Sequence, residues 1–288
     1  MSEPLRSGPA LAGERDGKFG DLGPRLLSAA ALIATALIAL YVGGDVFALF
    51  WLLAAFAVSW EWQGIVGGAF GLARTALGGA ALAAAAAFAA HGAGPLALAA
   101  LGAFAALFAV LAGPGRRFWA PLGLVYAGSL VVSANVLRRS PDFGALSIAW
   151  LFAVVWGADV MAYFGGRLIG GPKLWPKVSP GKTWSGAIVG LVSGALFGLA
   201  VAVFGPWPQA ASRELLFVGL VAAALAQLGD LFESWIKRRF GVKDASRLIP
   251  GHGGVMDRVD GFIFASAFAA LLGGLRGQES LAAGLFIW

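Results

Sequence analysis

Two segments of the sequence contain residues whose types and spacing could carry out chemistry on phosphate groups. In residues 156–186, Asp159 lies inside an apolar run, and a stretch with lysines and glycines follows it. In residues 227–261, Asp230 lies in another apolar run, and a loop rich in glycine and charged residues follows. Ionisable side chains are costly inside apolar membrane segments and usually mark function. These segments hold 16 of the 36 charged side chains, so we expect them to form the functional site.

The loop in the second segment has the composition of a site for phosphate groups and a metal ion. Its glycines allow positive φ and close approach of a ligand to the backbone, where successive N–H groups can bind an anion. Carboxylates beside basic side chains favour Mg²⁺, because hard cations take oxygen ligands. A cytoplasmic loop without a function in chemistry would contain basic residues, but three aspartates would not be expected in it. The residues concerned are Lys237, Arg238, Lys243, Asp244, Gly251, His252, Gly253, Gly254, Asp257, Arg258 and Asp260.

The helix that leads into this loop is predicted to present one polar stripe. Gln227, Asp230, Ser234 and Lys237 follow one another at spacings of three and four residues, which places them on one face of a helix. Such a stripe can simply join helices, but here it leads directly into the charged loop, which favours a site. The loop has a single histidine, His252. This argues against a zinc site, because zinc sites in proteins usually have more than one histidine or cysteine ligand.

The first segment adds a second acid and a lysine. Trp156, Asp159 and Tyr163 share one face of a predicted helix, although a structural ion pair between Asp159 and Arg167 is an alternative. Further along the chain, Gly181-Lys182-Thr183 resembles the end of a P-loop, but Pro176 stands where the pattern requires a glycine five residues before Gly181. We therefore predict a turn that opens the next helix and binds phosphate at its N-terminus. Its binding residues are Ser179, Gly181, Lys182 and Thr183.

The elements that position these residues are predicted to be membrane-spanning helices. Apolar residues make up 59% of the 288 residues, charged residues only 12%, and mean hydropathy is +0.81. A bilayer core of about 30 Å requires about twenty apolar residues per helix. We predict an all-α polytopic membrane protein with a tail over residues 1–24, N-terminal helices over 25–140 and a catalytic region over 141–288. The nine predicted spans are 25–42, 46–60, 65–89, 94–112, 118–137, 145–166, 184–204, 214–235 and 259–275.

The distribution of basic residues predicts the orientation of these spans. Of the 21 Lys and Arg residues, 17 fall on one side, which the positive-inside rule makes cytoplasmic. Both charged segments and the N-terminal tail lie on that side. The same rule explains the net charge of +6, so nucleic acid is not expected as a partner. The chain has no cysteine, which excludes disulfides and thiolate metal sites.

The second segment resembles the signature of the phosphatidate cytidylyltransferases, or CDP-diacylglycerol synthases. That signature is Ser, two residues on Lys-Arg, then Lys-Asp, Pro-Gly-His-Gly-Gly and Asp-Arg-x-Asp. Every fixed position is filled here, and residues 177–184 resemble a second stretch typical of the family. The resemblance is good over residues 145–275. The matching residues are Ser234, Lys237, Arg238, Lys243, Asp244, 250–254, Asp257, Arg258 and Asp260.

The resemblance implies transfer of a cytidylyl group from CTP to phosphatidate in the bacterial inner membrane, with the site facing the cytoplasm. We expect Mg²⁺ as cofactor, with Asp230 and Asp257 as its ligands and a second metal ion as an option. Asp244 and Asp260 are close alternatives, and the basic residues of the loop would hold triphosphate and lipid phosphate. The glycine loop, Ser234, Asp159 and Tyr163 would bind substrate. The resemblance also suggests a homodimer.

Two alternatives stay open. A related cytidylyltransferase or kinase acting on another membrane lipid would use similar residues. An ion-coupled transporter would instead place Asp159 and Asp230 along a path across the membrane. Transporters commonly have paired repeats and a midplane site, whereas this sequence shows no repeat and gathers its charges at one membrane face.

Overall fold

The fold is a bundle of long helices with one small hairpin, seen in a computed structural model that describes residues 22–66, 72–206 and 212–288. The predicted tail therefore lies almost entirely outside the described residues. The elements are α1 Leu22–Val42, α2 Gly44–Val66, α3 Leu72–Ala90, α4 Gly94–Leu111, α5 Trp119–Arg138, α6 Gly144–Leu168, β1 Lys173–Trp175, β2 Ser179–Thr183, α7 Trp184–Phe204, α8 Arg213–Arg239, α9 Met256–Leu275 and α10 Ala283–Phe286.

The prediction of an all-α polytopic membrane protein is confirmed. Within the described residues, seven helices are long and apolar enough to cross a membrane: α2 and α4–α9. Helices α1 and α3 contain shorter apolar stretches at the two remaining predicted positions. The predicted boundary between the second and third spans was wrong, because α2 continues through Ile65 and Val66.

Residues 179–183 form a strand rather than the predicted turn. β2 pairs with β1 in an antiparallel hairpin, with Lys173 opposite Thr183 and Trp175 opposite Ser179. The strand leads directly into α7, where the Thr183 side chain caps the helix by accepting a hydrogen bond from the Gly186 N–H at 3.1 Å. Capping of this kind satisfies a backbone N–H that has no partner inside the helix.

Helix α7 packs closely on α6 because glycine recurs at every fourth position. Gly186, Gly190, Gly194 and Gly198 all lie on the buried side of α7. A Cβ atom at Gly190 would lie 2.6 Å from the Ala158 carbonyl oxygen, and one at Gly194 2.7 Å from that of Val154. Small residues at this spacing let membrane helices approach until their backbones touch. Because the hairpin leads directly into α7, this contact places the hairpin next to the end of α6 that contains Asp159.

The remaining helices share one hydrophobic core. Helices α2 and α5 from the predicted N-terminal region pack on α9, where Trp51 stacks on Phe262 with ring centres 4.6 Å apart. At one end of the bundle, Trp62 donates a hydrogen bond to the Trp119 carbonyl at 2.9 Å. That end also carries the hairpin and the loop between α8 and α9. Arg138 bonds the Leu40 carbonyl at the opposite end.

Candidate active site

The structure brings the two charged segments together around one cavity of about 740 Å³. Its walls come from the ends of α6, α8 and α9, the start of α7 and the hairpin. The predicted site residues that line it are Asp159, Tyr163, Ser179, Gly181, Lys182, Thr183, Asp230, Ser234, Lys237, Asp257, Arg258 and Asp260. The cavity joins residues more than 100 positions apart in the chain, which the sequence pattern could only suggest.

Three carboxylates form the acidic centre of the cavity. Asp230, Glu233 and Asp260 each offer an oxygen atom, and these oxygens all lie within 4.8 Å of one another. Glu233 is buried, and its Oε1 atom has no hydrogen-bond partner among the residues that the structure describes. A buried oxygen without a donor is costly unless something else satisfies it. The donor set of three carboxylates and this orphaned atom both fit a hard cation such as Mg²⁺.

A close crossing of α8 and α9 sets the position of these carboxylates. Gly229 and Gly261 face the neighbouring helix next to Asp230 and Asp260. A Cβ atom at Gly229 would lie 2.5 Å from the Asp260 carbonyl oxygen, and one at Gly261 3.1 Å from the Ala226 carbonyl oxygen. The absence of side chains at these two positions lets the helix backbones approach and so brings the two aspartates near each other.

Two lysines form ion pairs with carboxylates of the acidic centre. Lys182 of the hairpin forms an ion pair with Asp230 across the cavity. Lys237 is nearly buried and contacts both Glu233, at 2.9 Å, and Asp257. A buried charge persists only where partners compensate for its lost hydration. Lys237 is therefore fixed between the carboxylates, whereas Lys182 reaches them from a short exposed hairpin.

Asp257 lies beside this cluster and binds the loop that precedes it. One carboxylate oxygen pairs with Lys237, and the other accepts a hydrogen bond from the Gly254 N–H at 2.8 Å. Asp257 is not among the three grouped carboxylates. Its predicted role as a metal ligand stays a prediction, and the structure adds Glu233 to the acids available for it.

On the other wall of the cavity, Asp159 and Tyr163 of α6 are exposed. The Tyr163 hydroxyl accepts a hydrogen bond from Arg167 at 3.1 Å. The alternative in which Arg167 pairs with Asp159 is not what the structure shows. Ser234 donates to Asp230 at 3.3 Å, so the predicted polar stripe of α8 does face the cavity.

Seven predicted residues lie outside the wall of this cavity. Arg238, Lys243 and Asp244 are exposed, and Arg238 bonds the Val242 carbonyl at 3.1 Å. Gly251 and Gly253 have φ of 73° and 83°, as the tight turn between Ile249 and Gly253 requires. His252 lies 2.7 Å from the Ser28 hydroxyl of α1. Gly254 is buried against another helix. Their predicted roles in binding stay predictions.

The sequence interpretation missed one buried acid that touches this loop. Glu61 of α2 has only 1% of its surface exposed. It accepts hydrogen bonds from Ser246 and from the backbone at the start of α9. A usable signal existed, because Glu61 is the only acidic residue between Asp45 and Asp142 and lies in an apolar run. A charged side chain inside an apolar membrane segment is costly in free energy, and this holds for Glu61 as it does for Asp159.

Comparison with known proteins identifies the family of the chain. The model of the Cytidylyltransferase family matches residues 24–275, which is most of the chain. The chain belongs to the cytidylyltransferase family. The match begins in α1 and ends in α9, so it includes the N-terminal helices as well as the cavity.

Three relatives in this family carry the name phosphatidate cytidylyltransferase. The protein of Brucella abortus biovar 1 (strain 9-941) is 46% identical over 170 residues, 59% of this chain and 62% of its own length. That of Haemophilus influenzae is 39% identical over 179 residues, 57% of this chain and 62% of its own length. That of Staphylococcus saprophyticus is 45% identical over 143 residues, 50% of this chain and 54% of its own length. The chain thus spans less than two thirds of the length of these relatives.

Proposed function

We propose that the protein transfers a cytidylyl group from CTP to phosphatidate, which gives CDP-diacylglycerol and pyrophosphate. The observation that carries the proposal is that Lys237, Asp257 and Arg258 of the family signature line the same cavity as Lys182 of the hairpin. The relatives named phosphatidate cytidylyltransferase support the choice of reaction.

The proposed reaction asks the protein mainly to bring two anions together. A phosphate monoester has a second pKa near 6, so the lipid phosphate is largely dianionic at neutral pH and needs no strong base. One of its oxygens attacks the α-phosphorus of CTP, and the bond from that phosphorus to the bridging oxygen breaks, releasing pyrophosphate. Cationic side chains aimed at the developing charge lower the barrier. Lys182, Lys237 and Arg258 would provide them.

We propose that Mg²⁺ binds at the acidic centre of the cavity. Asp230, with Asp257 as the second predicted ligand, would hold it, and Glu233 and Asp260 offer further carboxylate oxygens beside Asp230. Bound there, the ion would neutralise phosphate charge and act as a Lewis acid. Lys182 forms an ion pair with Asp230. When Mg²⁺ and CTP bind, the Lys182 side chain would leave the Asp230 carboxylate and contact the triphosphate. A second metal ion and a homodimer, both suggested by the resemblance, stay proposals.

An apolar groove of about 630 Å³ provides a place for a lipid chain. It runs between α1, α6 and α7 and includes Ala149, Phe152 and Trp156 of α6. These residues precede Asp159 at spacings of three and four, so one face of α6 is apolar and then reaches the cavity. From Asp159 to Ala149 the helix rises about 15 Å, half the thickness of a bilayer core of about 30 Å. An acyl chain in the groove would therefore place its phosphate in the cavity, whose wall includes Lys182 and Arg258.

The chain is an integral membrane protein, and we propose that it lies in the bacterial inner membrane with the cavity facing the cytoplasm. The count of 17 among 21 Lys and Arg residues on the cavity side supports this orientation. An impermeant lysine reagent applied to intact cells and to inside-out vesicles tests it. Lys182 should react only in the inside-out vesicles.

The test of the proposed function is to incubate purified protein with CTP, Mg²⁺ and phosphatidate in detergent micelles and to measure pyrophosphate. We expect pyrophosphate to form only when all three are present, and EDTA to stop it. A polyprenyl phosphate in place of phosphatidate tests the related-lipid alternative. Pyrophosphate release with that lipid and none with phosphatidate would exclude the proposed substrate. Ion uptake into proteoliposomes without any turnover would favour the transporter.

A further inference from the structure

The buried carboxylate of Glu61 connects the N-terminal helices to the loop beside the cavity. One oxygen accepts hydrogen bonds from the Ser246 hydroxyl at 2.6 Å and the Val255 N–H at 2.8 Å. The other accepts from the Met256 N–H at 2.6 Å. These described donors are all uncharged. Moving a carboxylate from water into a buried site costs free energy. With only uncharged donors around it, well-formed hydrogen bonds must offset that cost.

Glu61 supplies what the first turn of α9 lacks. The residue before this helix, Val255, has an apolar side chain that cannot cap it. The first N–H groups of a helix have no partners inside the helix, and they favour negative charge nearby. Glu61 accepts a hydrogen bond from the Met256 N–H from another helix, 195 residues away in the chain, and adds its negative charge to that of Asp257 in the same turn.

The same contact fixes the loop against Asp257. A Cβ atom at Gly254 would lie 2.6 Å from the Glu61 carboxylate, so the loop backbone packs directly on it. The N–H of Gly254 faces the other way and donates to Asp257 at 2.8 Å. Residues 254–256 are thus held between two carboxylates, and the next residue is Asp257, which pairs with Lys237.

We propose that Glu61 is a positioning residue for the reaction, which holds the loop over residues 246–256 so that Asp257 and Lys237 face the cavity. This proposal rests on the proposed function. It gives α2 a role in the reaction without contact to substrate. The two residues after Glu61 offer a contrast, since Trp62 and Gln63 bond the start of α5 instead.

The test is Glu61→Gln, which keeps the size of the side chain but puts an NH₂ group against backbone N–H donors. We expect kcat to fall at least twentyfold, KM for CTP to change less than threefold, and amide hydrogen exchange over residues 246–256 to quicken at least tenfold. The control, Gln63→Met, removes a buried hydrogen bond of the same helix. It should keep kcat and the exchange of this loop within twofold of the wild type.

Three results would overturn the proposal: wild-type kcat in Glu61→Gln, lost kcat with unchanged exchange in the loop, or equal effects in the control. If Glu61→Gln does not fold, Ser246→Ala removes one donor and leaves Glu61 in place. It should lower kcat three- to tenfold and quicken the same amides, and no change in either would overturn the proposal. A wild-type protein that exchanges slowly in the loop but does not use CTP would refute the proposed function instead.

Discussion

Replacing Gly229 by alanine should separate the two helices that hold the acidic centre. The added Cβ would lie 2.5 Å from the Asp260 carbonyl oxygen and 3.2 Å from the Gly261 Cα. Ordinary contacts begin at 3.4 Å, so α9 must move by about 0.9 Å at this crossing. Helix backbone cannot turn aside as a flexible side chain can. Asp260 therefore moves relative to Asp230, which is the residue next to the substitution.

The size of the effect follows from this displacement. Overpacking of a well-packed core typically costs about 1–3 kcal/mol, which should lower the melting temperature without unfolding the protein. Misplacement of reacting groups by about 1 Å can cost about 100-fold in rate. We expect Gly229→Ala to remain folded in detergent and to lose about 100-fold in kcat for CDP-diacylglycerol formation.

The matched control is Gly102→Ala in α4, where a Cβ atom would meet none of the described residues within 4 Å. Alanine is favoured over glycine inside a helix by about 1 kcal/mol, so this variant should keep its activity, and its melting temperature should not fall. Both variants are assayed for turnover and for thermal unfolding. Turnover within twofold of the wild type in folded Gly229→Ala would refute the claim that this crossing sets the carboxylate geometry.

Three further predictions concern single groups of the site. Asp257→Asn should stay folded in the membrane and lose at least about 100-fold in kcat, because it loses the charge that faces Lys237. Its control is Asp142→Asn, at the opposite end of the bundle, which should keep full turnover in the same assay. Lys182→Met should raise KM for CTP by about tenfold or more, as expected for loss of a charge-assisted contact, whereas Lys177→Met in the same hairpin should not. Ala153→Trp fills the apolar groove, so KM should rise for long-chain phosphatidate but not for a short-chain analogue. Leu196→Trp on the exposed face of α7 is its control, and equal effects on both chain lengths would count against the groove.

The helices were predictable because a bilayer imposes one length and one polarity on every span. The boundary after α2 was not, since Glu61 and Gln63 interrupt the apolar run while the helix continues through them to Ile65 and Val66. The hairpin was missed for a different reason. β1 has only three residues and lies at the surface, so no alternation of apolar and polar residues marks it as a strand.

Much of the cavity wall was predictable from residue type, because an acid inside an apolar run is costly and usually serves a function. The grouping of the acids was not. Asp260 of α9 joins Asp230 and Glu233 of α8 only because the two helices cross at Gly229, and the neighbour of a helix glycine cannot be read from its own helix. Glu61 carries the same signal as Asp159, but no motif surrounds it. Its partners, Ser246 and the start of α9, are distant in the chain.

We propose that this cavity transfers a nucleotidyl group from CTP to a lipid phosphate. The most direct measurement supplies the purified protein with Mg²⁺, phosphatidate and CTP labelled at either the α- or the γ-phosphate, and then counts label in the extracted lipid. We predict that the α-label enters the lipid in equal amount to the pyrophosphate released, and that the γ-label leaves in pyrophosphate. Label from the γ-phosphate in the lipid, or none from either position, would contradict the account.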